Sequence, residues 1–266
     1  MSTSADAYAK ARAENRAAFV GYLPAGFPSY DGALDGLRAL VDGGVDLIEL
    51  GLPYSDPVID GVTIQAATEQ ALRNGTRIAD VLRTAEMAAA MGVPVIVMTY
   101  WNPVLAYGVD RFATDLKSAG ATGLITPDLI PDEAGDWLDV ADAKELDRVF
   151  LVAPSSTPAR IASTVAACRG WVYAASTMGV TGARAQTSSA APELVKRVRE
   201  ATSMPVGVGL GVSNRDQAAE VASYADGVIV GSALVRCLLE APDAKAGAAA
   251  VGALAAELAA GVRSAR

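Results

Sequence analysis

Short apolar runs alternate with longer segments of helical periodicity along the whole chain. This alternation confines the fold to parallel strands joined by helices. The runs are Phe19–Leu23, Val45–Leu50, Val95–Thr99, Gly123–Thr126, Val149–Val152, Trp171–Ala175, Val206–Gly209 and Gly227–Val230. Helical patterns fill the gaps at Tyr30–Val41, Ile64–Arg73, Arg111–Ala119, Glu133–Ala143, Pro158–Ala167, Pro192–Ala201 and Arg215–Ala222, with an extra helix at Val81–Met91. Strands apolar on both faces suit a sheet covered by helices, linked by right-handed crossovers. Small-residue turns lead into three of the runs in similar ways, at Gly44–Ile48, Ala121–Ile125 and Ala225–Ile229. No linker or low-complexity tract divides the 266 residues. The pattern predicts one α/β domain over residues 1–266, a (β/α)8 TIM barrel with additional N-terminal and inserted helices, rather than a doubly wound open sheet.

In such a barrel the site lies at the C-terminal ends of the strands. Glu49 is at one of those ends, in an otherwise apolar run, and GLPYSDPVIDG follows it directly. Strand alternation puts Leu47 and Glu49 on one side and Ile48 and Leu50 on the other. A carboxylate buried there is either structurally paired or held protonated as an acid/base group. The chain has no histidine, so acid/base chemistry near neutral pH falls to carboxylates, Tyr, Lys or Cys. The loop holds Asp56 and Asp60, and its functional reading is a pair of carboxylates at different depths, one in an apolar setting and protonated, one exposed and ionised. The same loop also reads as a Pro/Gly-rich turn in which Ser55 or Asp60 caps the helix beginning near Val62.

Two glycine-rich segments end the seventh and eighth strands, Gly207–Asn214 and Gly231–Ala233. Neighbouring loops of this kind, with the helix N-termini behind them, offer main-chain N–H groups to a phosphate. A plain tight turn is the competing reading of Gly209-Leu210-Gly211, and the dinucleotide fingerprint G-x-G-x-x-G fails here. The Gly/Ser/Thr-rich segment Ser176–Ala190 is long for a strand-to-helix connection and reads as a lid or as a surface loop without function. Tyr22, Tyr100 and Tyr173 lie at or near strand ends, where pocket lining and core filling are both open. Asp128 is either a site residue or a helix stabiliser.

The net charge of −8 argues against nucleic acid or an anionic membrane as partner. Cys168 and Cys237 have no metal-type spacing, there is no metal-ligand cluster, and the N-terminus lacks an apolar signal-peptide core, so a cytoplasmic setting is expected. Ala246–Ala260 reads as a packed terminal helix rather than a membrane span.

ELGLPYSDPVIDG at 49–61, TMGVTGAR at 177–184, GVGLGVS at 207–213 and GSA at 231–233 closely resemble the tryptophan synthase α subunit, in order along nearly the whole chain. The resemblance implies a TIM barrel that cleaves indole-3-glycerol phosphate to indole and glyceraldehyde 3-phosphate by a retro-aldol reaction. It implies no cofactor on this chain. The expected partner is the tryptophan synthase β subunit, which carries pyridoxal phosphate, in an α2β2 heterotetramer. By resemblance Glu49 is the acid/base carboxylate and Asp60 accepts the indole N–H. Tyr22, Tyr100 and Tyr173 contact substrate, Thr181 and Gly182 belong to the lid, and Gly211, Gly231 and Ser232 cradle the phosphate. Asp56 and Pro57 face the β subunit. The chain departs from many relatives at Tyr22, where Phe is usual, and at Thr177-Met178, where Arg-Ala is often found. Competing functions are another phosphate-binding barrel such as a sugar-phosphate isomerase or decarboxylase, an allosteric partner with little catalysis of its own, and a stand-alone indole-releasing lyase. No lysine lies at a strand end to serve the first, and intact Glu49 and Asp60 argue against the second.

Overall fold

The computed structural model describes residues 3–175, 190–209 and 211–265. Helix α1 (Ser4–Ala13) precedes β1 (Ala18–Pro24), and α2 (Tyr30–Asp42) leads to β2 (Leu47–Gly51). Two helices, α3 (Val62–Arg73) and α4 (Ile78–Ala89), precede β3 (Val95–Met98). Another two, α5 (Trp101–Tyr107) and α6 (Val109–Ser118), precede β4 (Gly123–Thr126). A 3₁₀ turn (Pro131–Glu133) and α7 (Gly135–Ala143) lead to β5 (Asp147–Val152), α8 (Pro158–Ala167) and β6 (Val172–Ala175). The chain ends with α9 (Ala191–Arg199), β7 (Val206–Gly209), α10 (Arg215–Tyr224), β8 (Gly227–Val230), α11 (Ser232–Leu239) and α12 (Ala244–Arg263).

The strands pair in chain order, all parallel, and β8 returns to β1 to close the barrel. Strand alternation divides their side chains into two cores. Val20, Leu47, Ile96, Ile125, Val149 and Ile229 fill the barrel interior, whereas Ile48, Leu50, Val97, Leu124, Phe150 and Val172 pack outward against the helices. Removing each of these side chains from water stabilises the fold by about 1.5–3 kcal/mol. Register places Val20 beside Leu47 and Tyr22 beside Glu49, so the upper interior carries polar groups above an apolar floor.

The expected elements are all present, with shifted ends. The second strand begins at Leu47 rather than Val45, after Asp46 has turned to Arg16. Arg16 Nη1 donates to Asp46 Oδ2 at 2.6 Å and Nη2 to Oδ1 at 2.8 Å, and both side chains are buried. Asp46 Oδ2 also accepts the Phe19 N–H at 2.8 Å, so the pair fixes where β1 and β2 start. Helix α5 is an addition, being too short and too close to Pro103 to announce itself by period. The last helix is long and apolar enough on composition to cross a membrane. It lies along α2, α10 and α11 with Val251, Ala255, Leu258 and Val262 buried, which accounts for its apolar residues by packing.

Candidate active site

Glu49 points into the barrel near its C-terminal end and is 1% exposed. Its Oε2 has no hydrogen-bond partner among the described residues. Burial, and then the nearby charge of Asp60, raise its pKa from 4.5 to about 8. At neutral pH Glu49 is therefore mostly protonated, and a buried carboxylic acid can donate its proton to a substrate atom.

Asp60 belongs to the segment between β2 and α3. The loop is fixed at its base by the Leu52 N–H, which donates to Met98 O at 2.9 Å, and near its end by Gln65 Nε2, which donates to Asp60 O at 2.6 Å. The Tyr100 hydroxyl accepts the Ile59 N–H at 3.1 Å and bonds to the Asp60 carboxyl. Burial raises the Asp60 pKa while the Tyr100 bond opposes the rise. Two carboxyls are thus held differently: Glu49, with no bond to Oε2 among the described residues, retains its proton, and Asp60 is supported by a phenol that favours its charge.

Tyr100 stands where β3 passes into α5. The Trp101 N–H donates to both Asp128 oxygens, at 2.9 and 3.1 Å, so Asp128 stabilises the first turn of α5, the second of its two readings. The Tyr54 and Tyr100 rings lie 5.5 Å apart between centroids, and Asn102 Nδ2 donates to Tyr54 Oη at 3.0 Å. The helix after Asp60 has Gly61 as N-cap without a side-chain cap, so neither Ser55 nor Asp60 caps it.

Tyr22 and Tyr173 both face inward. Tyr22 is beside Glu49 in the register, and its hydroxyl comes so close to Gly51 that a Cβ there would overlap it. Burial, and then the charges of Asp60 and Glu49, hold the Tyr22 phenol well above its usual range. Burial and then Glu49 do the same for Tyr173. Both tyrosines are therefore neutral hydroxyls.

Across the mouth, α11 starts directly after β8 with Gly231 at its N-cap, and no side chain caps it. A Cβ on Gly231 would lie 3.4 Å from Tyr22 Cδ1, so this helix end opens beside the Tyr22 ring. Ser232 is its first residue. The neighbouring helix differs: Asn214 Oδ1 accepts the Gln217 N–H at 3.0 Å and satisfies the first turn of α10 from within. Gly211, at φ +60°, turns the chain between β7 and that cap. An anion at this mouth meets uncapped N–H donors on α11.

The structure thus brings together Glu49, Asp60, Tyr22, Tyr100, Tyr173, Gly231 and Ser232. Thr181 and Gly182 lie outside the described residues. Asp56 and Pro57 sit on the outer part of the Asp60 loop, away from the interior. Sequence reading missed Val58, Val62, Leu105 and Ile130, which are 68%, 83%, 57% and 43% exposed. Large apolar residues in a Pro/Asp-rich loop were the available signal for the first two. No group of three or more His, Cys, Asp or Glu suited to a metal occurs among the described residues.

Comparison with known proteins agrees with this geometry. The family model described as tryptophan synthase alpha chain matches residues 8–263. The tryptophan synthase alpha chain of Salinispora arenicola is 62% identical over 264 residues, covering 99% of each chain. A chain in a structure of Mycobacterium tuberculosis tryptophan synthase superposes with a TM-score of 0.92 at 58% identity, covering 98% of both chains. Tryptophan synthase subunit alpha from Legionella pneumophila superposes at 0.88 with 32% identity, covering 100% of this chain and 98% of that one. The chain belongs to the tryptophan synthase alpha chain family, the lyases that cleave indole-3-glycerol phosphate in tryptophan biosynthesis.

Proposed function

We propose that Glu49 and Asp60 divide the chemistry of indole-3-glycerol phosphate cleavage between them. Neutral Glu49 protonates the indole ring carbon that bears the glycerol chain, and the ring becomes cationic. Asp60 accepts the indole N–H and stabilises that positive charge. The Glu49 carboxylate then takes the proton of the adjacent glycerol hydroxyl. The carbon–carbon bond breaks, its electrons return to the ring, and indole and glyceraldehyde 3-phosphate leave with Glu49 protonated again. The observation that carries this assignment is Glu49 itself, 1% exposed and with its pKa raised to about 8 beside a second carboxyl.

Tyr22, Tyr100 and Tyr173 line the ring's path in this reading. The uncapped start of α11 at Gly231 and Ser232, with Gly211 after the neighbouring strand β7, receives the phosphate. Thr181 and Gly182 close over the substrate, a role read from sequence alone. The partner is a tryptophan synthase β subunit in an α2β2 heterotetramer. Exposed Val58, Val62, Leu105 and Ile130 support its docking beside Asp56 and Pro57, because they belong to the consecutive connections after β2, β3 and β4 and so border one side of the mouth. Pyridoxal phosphate is assigned to that partner. The lysines here, Lys10, Lys117, Lys144, Lys196 and Lys245, lie on helices or at helix ends, and none stands at a strand end to form a Schiff base. A cytoplasmic location goes with this biosynthetic role.

The test is indole release by the purified chain, alone and with a β subunit. Slow cleavage that accelerates with the partner is expected, and Glu49→Gln should abolish it while β-subunit binding persists. Cleavage by Glu49→Gln above about a tenth of the starting rate would refute the proton-transfer role, since general acid–base catalysis contributes about 10²–10⁴-fold.

A further inference from the structure

Tyr8 is on α1, outside the sheet, yet it is 3% exposed and belongs to the cluster inside the barrel. It enters through the N-terminal end. A Cβ on Gly207 of β7 would lie 2.8 Å from the Tyr8 hydroxyl, and one on Gly227 of β8 2.6 Å from it. Both strands therefore need glycine at the level where the phenol sits. The Tyr8 ring meets Trp171, with centroids 5.7 Å apart and planes at 43°. Trp171 in turn stacks on Tyr173, at 5.7 Å and 28°. The three rings make a column from the barrel floor to the mouth, where Tyr173 lies within the field of Glu49 and Asp60.

The base of the column is fixed on both sides. Ser4 Oγ donates to the buried Asp147 carboxyl at the start of β5, and beyond the helix Arg16 bonds Asp46 at the start of β2. The column itself has no polar tether at two of its levels. Tyr8 Oη and Trp171 Nε1 are buried without hydrogen-bond partners among the described residues. Ring packing, not hydrogen bonding, therefore sets its height. Aromatic pairs in such geometries contribute about 0.5–1.5 kcal/mol beyond their burial and constrain relative tilt.

We propose that Tyr8 is a positioning residue for the lyase reaction: through Trp171 it sets the height and tilt of the Tyr173 ring against the substrate. The proposal rests on the reading above that Tyr173 contacts substrate. A plug that merely closed the floor would need only volume. A support for Tyr173 needs an aromatic face at this level and can dispense with the hydroxyl.

The experiment is a double-mutant cycle on the full chain assembled with a β subunit, read by the kinetics of indole-3-glycerol phosphate cleavage. Tyr8→Leu should raise KM about fivefold with kcat nearly held, Tyr8→Phe should stay within about twofold, and Tyr8→Leu should add nothing once Tyr173→Leu is present. An undiminished Tyr8→Leu effect in the Tyr173→Leu background would overturn the proposal, as would a folded Tyr8→Leu chain with unchanged kinetics. Tyr173→Leu alone with unchanged kinetics would instead overturn the placement of Tyr173 at the substrate, and the proposal with it. Thermal unfolding checks each variant; if Tyr8→Leu does not fold, Tyr8→Met, closer in length, carries the same cycle.

Discussion

Replacing Glu49 by Gln separates what the buried carboxyl does for chemistry from what it does to the fold. The side chain keeps its shape and loses only its ability to ionise. In the unfolded chain Glu49 ionises near 4.5, whereas in the folded chain it does so at about 8, because burial and then Asp60 disfavour the charge. A carboxyl whose folded pKa is raised weakens the fold as pH climbs from the lower value to the higher, and the loss levels off above the higher value. At about 1.4 kcal/mol per pH unit, the full loss is about 5 kcal/mol, and about 3 kcal/mol of it is present at pH 7. Glu49→Gln escapes this loss. Urea unfolding of both chains should therefore give similar stabilities near about pH 4–5 and a difference of several kcal/mol in favour of Gln by about pH 8–9. The activity of the parent should fall with its stability, its kcat/KM dropping as pH rises through about 8, where Glu49 loses the proton that the proposed reaction needs. Parallel stability curves for the two chains across this range would show that Glu49 is not held protonated by the fold, and the acid assignment would lose its physical basis.

Tyr100→Phe removes the donor that favours the charged form of Asp60 and leaves the Ile59 N–H without its acceptor. Cleavage should fall about tenfold and the acidic limb of the pH–rate profile should move to higher pH; an unmoved limb would exclude the Tyr100–Asp60 bond from catalysis. In Gly51→Ala the new methyl would overlap the Tyr22 hydroxyl and press that ring toward the substrate. KM should rise by about an order of magnitude, and adding Tyr22→Phe should recover only a small part of it, because the methyl would also lie 2.6 and 2.7 Å from ring carbons that Phe keeps. Leu105→Asp puts a charge on the exposed apolar border of the mouth. It should weaken the β subunit about tenfold in a titration of partner-stimulated cleavage, and an unchanged titration would remove Leu105 from the docking surface.

Which parts of this architecture were legible in sequence follows from the range of the forces that set them. Parallel strands covered on both faces must be short apolar runs, so the eight runs stood out, and Glu49 stood out as the ionisable residue interrupting one of them. Strand parity correctly put Glu49 with Leu47 and away from Ile48 and Leu50. Element ends depended on distant partners. The second strand starts late because Asp46 is engaged by Arg16, and the seven-residue helix α5 is secured by Asp128 from the connection after β4. The inward direction of Tyr173 was open in sequence and is fixed by Trp171 beneath it. Tyr8 carried no local signal at all. Its place depends on glycines at 207 and 227, about two hundred residues away, and only closure of β8 onto β1 brings those strands over α1.

The absence of histidine and the depth of Glu49 are two sides of one physical arrangement. A carboxyl in water has lost its proton well below neutral pH and cannot serve as an acid there. Lacking imidazole, this barrel can supply a proton at neutral pH from a carboxyl only by making the carboxylate form costly, which requires burial with few donors. Burial, with no donor to Oε2 among the described residues, is thus the means by which the proton is retained, and the stability lost as pH rises is the same free energy seen from the folding side. In the proposed reaction Asp60 needs the reverse, since a cationic indole ring is stabilised by a charged partner, and the Tyr100 bond favours that charge. An added donor reaching Glu49 should therefore stabilise the fold at alkaline pH and impair cleavage together, while one reaching Asp60 should not.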